Sequence, residues 1–171
     1  MALKQSPPSL VGVDTNVALD YADGREVVLD SIATIRGRIG GGSFCVPPTV
    51  VLELAHAADF GETAEKRAAA TKFLRQHRAW NFRLINFVPL GELQVARIGQ
   101  RLRERELIPW EEVNDALLVA ESAALGCSVL LSSDEHLRGV EFERLSFELQ
   151  GFDLVAPVIA TPREIVQKFF R

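Results

Sequence analysis

The sequence predicts an α/β fold in which a parallel sheet is covered by helices on both faces. Three observations carry that expectation. Short apolar runs of strand length alternate with longer segments of helical period, the pattern of successive βαβ units. No repeat, low-complexity block or linker divides the chain. Its 171 residues, 47% hydrophobic and 25% charged, suit one core-forming domain and exclude a disordered chain.

A flexible N-terminal tail is expected at 1–9, followed by one domain over 10–171. Leu10–Val13 is apolar enough for a buried strand, and Asp14-Thr15-Asn16 after it ends the strand or caps a helix. Helices follow at Thr15–Ala22 and Glu26–Arg38, divided by Asp23-Gly24 and closed by Gly40-Gly41-Gly42. Ser43–Val46 forms the second strand, and Pro47-Pro48 preset the first turn of a helix over 49–58. A helix at 64–80, a strand at 82–88 and a helix at 90–106 come next, the last with Leu90, Val95, Ile98 and Leu102 toward the core. After Pro109 a helix over 110–125 stops at Gly126, a natural C-cap, and Cys127–Leu131 is an apolar strand. Further strands are expected at 144–149 and 154–156, then a helix opened by Thr161-Pro162.

Several function classes drop out early. The longest apolar stretch is broken by Pro47, Pro48 and Glu53, short of the roughly 18 residues a membrane span needs. The first residues lack the apolar core and cleavage site of a secretory signal, so cytoplasmic residence is the expectation. Cys45 and Cys127 sit in apolar or small-residue surroundings and read as buried small hydrophobes. His56, His77 and His136 have no ligand spacing, so a zinc site has no support.

The net charge of −4 conceals an asymmetry. From Lys66 to Arg105 ten basic residues face two acidic ones, a segment of +8 that leaves −12 for the rest. Such a division suits a basic surface for an anionic partner, or else two solvated helix faces. Arg97, Arg101 and Arg105 recur every fourth residue and share one helix face.

Four acids stand where chemistry is expected. Asp14 and Asp134 each follow a strand, and parallel strands bring both to the same edge of the sheet, where open α/β sheets bind their ligands. Glu53 and Asp115 interrupt apolar helical runs with no Arg or Lys beside them. A buried carboxylate needs a partner or holds its proton. Taken singly, Asp14 and Asp134 are also ordinary caps and Glu53 and Asp115 ordinary solvent-facing acids. Taken together, the economical solution is a shared divalent cation, and oxygen ligands alone favour Mg²⁺ or Mn²⁺.

Four blocks in order, Val11-Gly-Val-Asp-Thr-Asn-Val17, Pro48-Thr-Val-Val-Leu-Glu-Leu54, Asn114-Asp-Ala-Leu-Leu-Val-Ala120 and Val129-Leu-Leu-Ser-Ser-Asp-Glu-His-Leu137, resemble the PIN-domain nucleases, including the toxin-type ribonucleases of toxin–antitoxin systems. The resemblance covers nearly the whole chain from Leu10 to about Phe170. It implies a three-layer α/β/α sandwich with a central parallel sheet, and cleavage of RNA phosphodiesters that leaves a 5′-phosphate and a 3′-hydroxyl. By motif position, Asp14, Glu53, Asp115 and Asp134 are the implied catalytic and Mg²⁺- or Mn²⁺-binding acids, with Thr15, Asn16 and Ser132 orienting them. A homodimer and an antitoxin protein are the implied partners. Leu137 stands where the family commonly has an aromatic residue, Glu135 is a candidate for an extra acid some members carry, and the chain is longer than many of the toxins.

Within that reading Lys72, Arg75 and Arg78 on one helix and Arg97, Arg101 and Arg105 on another guide the phosphate backbone. Trp80 and Phe82 serve core packing before base stacking, Glu111 and Glu112 complement a helix dipole, and His136 lies at the surface. Four close carboxylates repel one another, so a metal-free site should retain at least one proton at neutral pH. The competing readings are a PIN-like module that binds RNA or protein without cutting, and an aspartyl-phosphate phosphatase. The latter is poorer because Thr15-Asn16 after Asp14 breaks the Asp-x-Asp opening of that class.

Overall fold

The computed structural model describes residues 9–38, 42–87 and 89–169. Apart from Ser9, the expected tail lies outside the described residues, and so do Gly40 and Gly41 and the side chain of Leu90. Strand β1 (Leu10–Val13) leads into α1 (Thr15–Ala22) and α2 (Glu26–Arg38), and β2 (Ser43–Val46) into α3 (Pro48–Phe60) and α4 (Ala64–Gln76). Then β3 (Phe82–Leu84) leads into α5 (Pro89–Glu104) and α6 (Val113–Ala124), β4 (Cys127–Leu131) into α7 (Glu135–Arg138) and α8 (Phe142–Gln150), and β5 (Val158–Ala160) into α9 (Pro162–Phe169).

The five strands form one sheet in the order β3-β2-β1-β4-β5, with every neighbouring pair parallel. The chain builds outward from β1 through β2 to β3, then crosses back to lay β4 on the other side of β1. That reversal opens a crevice beyond the carboxyl ends of β1 and β4, the usual ligand position in such sheets. The Asp14 N–H extends the β1–β4 ladder by donating to the Leu131 carbonyl at 2.9 Å.

Period-two alternation assigns each side chain a face. Val11 and Phe44 pair across the strands, and Phe44 and Phe82 next to them meet Tyr21 of α1 and Phe73 of α4 in an aromatic cluster that Trp80 completes. Trp80 and Phe82 are therefore core residues. On the opposite face a Cβ on Gly12 would stand 3.1 Å from Ser122 Oγ of α6, so glycine suits the close approach of that helix to β1. Cys45 and Cys127 are buried and free on either side of this strand, with sulfurs 3.6 Å apart.

The expected strand at 144–149 is instead helix α8. Leu145, Phe147 and Leu149 alternate as in a strand, yet Leu145 and Leu149 are buried one helical turn apart and Phe147 is 74% exposed. The closing strand is Val158–Ala160 rather than 154–156, and Thr161-Pro162 starts α9 directly after it. Other elements are shorter than expected: β3 ends at Leu84 against an expected end at 88, a position that lies outside the described residues, and α5 ends at Glu104 rather than 106. α4 stops at Gln76 because the chain turns at Asn81, whose φ is 58°, and α6 begins at Val113 after a turn at 109–112. Val95, Ile98 and Leu102 of α5 are buried as expected. Among the described residues no helix is long and apolar enough to cross a membrane.

Candidate active site

Asp14 ends β1 and caps α1, and it is buried. Its carboxylate accepts from the Thr15 N–H at 2.5 Å, from Asn16 Nδ2 at 2.9 Å and from Ser132 Oγ at 2.6 Å. Ser132 in turn accepts from the Asp134 N–H at 3.0 Å, and Asn16 Oδ1 accepts from the Ser133 N–H at 3.2 Å. The two loops that follow β1 and β4 are thereby stitched together. Asp134 caps α7, accepting from the His136 N–H at 2.7 Å.

Glu53 enters from α3 and Asp115 from the first turn of α6. One Glu53 oxygen accepts from the Thr15 hydroxyl and the other from Asn114 Nδ2 at 2.7 Å, so residues adjacent to Asp14 and Asp115 hold the carboxylate of the third acid. The apparent orphan charge on α3 thus has neutral donors rather than a cation. Beside it a cavity of about 520 Å³ is lined by Thr15, Glu53, His56, Lys66 and Asn114, with exposed Leu52 and Phe60 at its rim.

The electrostatics show which acids share one field. Burial raises the Asp14 carboxyl above its ordinary value, the Ser132 and Thr15 hydrogen bonds oppose that, and the charges of Glu53 and Asp134 add to it. Asp115 is pushed up to about 7, first by burial, then by Asp134, Asp14 and Glu112, with His136 opposing. Both Asp14 and Asp115 thus hold their protons more tightly than ordinary carboxyls, as expected of a metal-free acid cluster. His136 Nε2 lies 3.7 Å from Glu112 Oε1, a contact that brings both residues, read from sequence as bland, to the edge of the site.

Asp14, Asp115 and Asp134 crowd one crevice with His136 as their nearby basic group. Oxygen donors, mutual repulsion and a carboxyl titrating near neutrality fit a Mg²⁺- or Mn²⁺-type ion. Among the described residues, however, no three His, Cys, Asp or Glu side chains stand ready to clasp an ion, and Glu53 has both oxygens engaged elsewhere.

One residue escaped the sequence. Glu121 of α6 is buried and receives the Thr49 N–H at 3.0 Å and the Thr49 hydroxyl at 2.8 Å. Pro47, the N-cap of α3, offers no side-chain acceptor, so Glu121 caps that helix from a neighbouring one. Burial lifts its carboxyl to about 6. Its only signal was an acid in an alanine-rich helix, which also describes a solvent-facing residue.

The six basic residues are not gathered around the acids. Lys72 Nζ donates to the Ala22 carbonyl at the far end of α1, and Arg78 lies just beyond α4 near the start of β3. Arg75 is in the last turn of α4. Arg101 and Arg105 both bind Glu148 of α8, at 2.8 and 3.5 Å. Arg97 is exposed and lines a groove with Arg101 and Phe147.

Residues 11–143 match the family model of the PIN domain. No curated protein matches the chain. Among solved structures, VapBC2 from Rickettsia felis bound to a DNA fragment from their promoter is similar in fold, with a TM-score of 0.59 at 11% identity over 89% of this chain and 98% of that one. The family match spans the strand ends and helices that carry Asp14, Glu53, Asp115 and Asp134, and the chain belongs to the PIN-domain family.

Proposed function

We propose that this protein is a metal-dependent endoribonuclease that hydrolyses RNA phosphodiester bonds at the crevice between β1 and β4. PIN domains are generally metal-dependent nucleases. The observation that carries the reading is the placement of Asp14 and Asp134, which follow β1 and β4, in one crevice with Asp115 of α6, where burial and the neighbouring acids raise the Asp115 carboxyl to about 7. An arrangement that unfavourable is expected where a cation belongs.

The bound Mg²⁺ or Mn²⁺ supplies activation of water and neutralisation of phosphate charge. The chain supplies the rest. Ser132, Asn16 and the Thr15 N–H fix the Asp14 carboxylate in one orientation. Thr15 and Asn114 hold Glu53 beside the crevice. Asp14, Glu53, Asp115 and Asp134 would hold the ion, Asp115 as its carboxylate. Arg97, exposed on α5 and without an ion-pair partner among the described residues, steers the RNA backbone, while Glu148 holds Arg101 and Arg105; the products carry a 5′-phosphate and a 3′-hydroxyl. A toxin held silent by an antitoxin in the cytoplasm is part of this reading, supported by the likeness in fold to VapBC2. The exposed stripe of Leu52, His56 and Phe60 along α3 supports a homodimer.

The engagement of both Glu53 oxygens favours one second reading, a module that binds RNA or protein without cutting. Cleavage of a labelled single-stranded RNA panel in Mn²⁺, Mg²⁺ or EDTA separates the two. Metal-dependent cutting that disappears in Asp14→Asn, with folding unchanged, is the expected result. Cutting that survives in EDTA or in that variant overturns the nuclease site.

A further inference from the structure

At the opposite pole from the acids, where β2 and β3 begin, a cavity of about 810 Å³ is lined by Arg36, His77, Arg78 and Arg83 together with Phe44 and Asn81. No carboxylate lines it, and among the described residues none of the three arginines forms an ion pair. In a chain of net charge −4, three guanidinium groups converging without a counter-ion repel one another and await an anion.

The cavity is also built. Arg36, in the last turn of α2, donates from Nη2 to the Trp80 carbonyl at 2.5 Å and lies over the rings of Phe44 and Phe82, at 5.2 and 5.8 Å. Its guanidinium is fixed before any ligand arrives, so little rotamer freedom is lost on binding. His77 Nδ1 is engaged with the Phe82 carbonyl at 2.9 Å, which sets the ring and leaves Nε2 for a ligand. Arg78 and Arg83 are exposed beside them. A planar fork fixed beside two more guanidinium groups matches phosphate oxygens, which arginine binds in pairs.

We propose that this cavity is an exosite that grips backbone phosphates of an RNA strand at the pole away from the acids. The identity of the strand rests on the ribonuclease reading. The two poles are separated by the height of the sheet, whose strands of three to five residues run roughly 10 to 17 Å. The exosite therefore favours strands long enough to pass around the molecule over short fragments.

The test is binding of a labelled single-stranded RNA of about twenty nucleotides in EDTA, across a salt series, to the wild type and to Arg78→Ala plus Arg83→Ala. Arg36 is left in place because it anchors Trp80, and a thermal melt confirms that the variant folds. The expected result is a dissociation constant raised about tenfold and a salt slope shallower by about 1.4, since each phosphate contact on a single strand contributes about 0.7. Unchanged affinity and slope overturn the exosite. So does pyrophosphate binding lost in the variant while RNA binding is intact, which assigns the cavity to a small anion. Because EDTA removes any need for cutting, the two readings fail separately. RNA binding that depends on Arg78 and Arg83 without cleavage in any metal leaves the exosite standing and overturns the nuclease. Cleavage that depends on Asp14 with no effect of the double variant does the reverse.

Discussion

Asp115→Asn should stabilise the metal-free protein at alkaline pH while removing its activity. In the folded chain the Asp115 carboxyl releases its proton at about pH 7, against an ordinary 3.8 in the unfolded chain. Between those values the folded state binds more protons than the unfolded one. This group's contribution is therefore most favourable below pH 4, declines as pH rises, and levels off above 7. A displacement of that size corresponds to about 4 kcal/mol. Asp115 is half-buried, and solvent screening reduces the usable effect to about 1–2 kcal/mol. Asn keeps the shape and discards the charge. In EDTA at pH 8 the variant should melt about 3–6 °C higher than the wild type, given about 2–4 °C per kcal/mol at this size. At pH 5, about a third of the way from 3.8 to 7, the gap should narrow to about a third, and it should close only below about pH 4. Mn²⁺ at pH 8 should reverse the order, because ligand binding stabilises the state that binds it. A variant less stable than wild type at pH 8, or a gap of the same size at both pH values, would refute the reasoning.

Three further outcomes follow from the geometry. Glu121→Ala leaves the Thr49 N–H and hydroxyl buried without an acceptor and should lower stability by about 2–3 kcal/mol; a urea midpoint equal to wild type would show that α3 is capped otherwise. Gly12→Ala places a methyl 3.1 Å from Ser122 Oγ and should cost about 1–3 kcal/mol by pushing α6 from the sheet, with Mn²⁺ affinity falling alongside the melting temperature; a neutral melt would mean that Ser122 simply gives way. Arg97→Ala should weaken RNA binding and flatten its salt dependence by about 0.7, with Arg101 held by Glu148; an unchanged slope would move the substrate path off α5.

Much of this was legible in the sequence because local and global signals agree there. β1, α1, α2, β2 and β4 occupy the expected residues, each bounded by Gly, Pro or an Asx cap. Asp14 and Asp134 were legible for the same reason: an acid directly after a buried strand has few places to go. The misreading of α8 shows how one error conceals another. Alternation of Leu145, Phe147 and Leu149 suggests a strand, but Phe147 points to solvent on a helix. With that helix unseen, Glu148 was not available as the partner of Arg101 and Arg105, and both looked free to bind phosphate. Glu121 and the pole occupied by Arg78 were beyond sequence reasoning, since both depend on which helix end meets which strand end.

The hydrogen bond from Ser132 to Asp14 joins residues 118 positions apart. While the chain emerges from a ribosome, β1 can pair with β2, but its other edge stays bare until β4 has been made. Contacts so distant along the chain form late, after the entropy of closing a long loop has been overcome. Until then Asp14 lacks its Ser132 donor, Asp134 has not been synthesised, and the crevice has only one wall. A nascent or prematurely ended chain that stops short of β4 therefore carries no assembled acid cluster. The acids can come together only after β4 and the residues up to Asp134 have emerged.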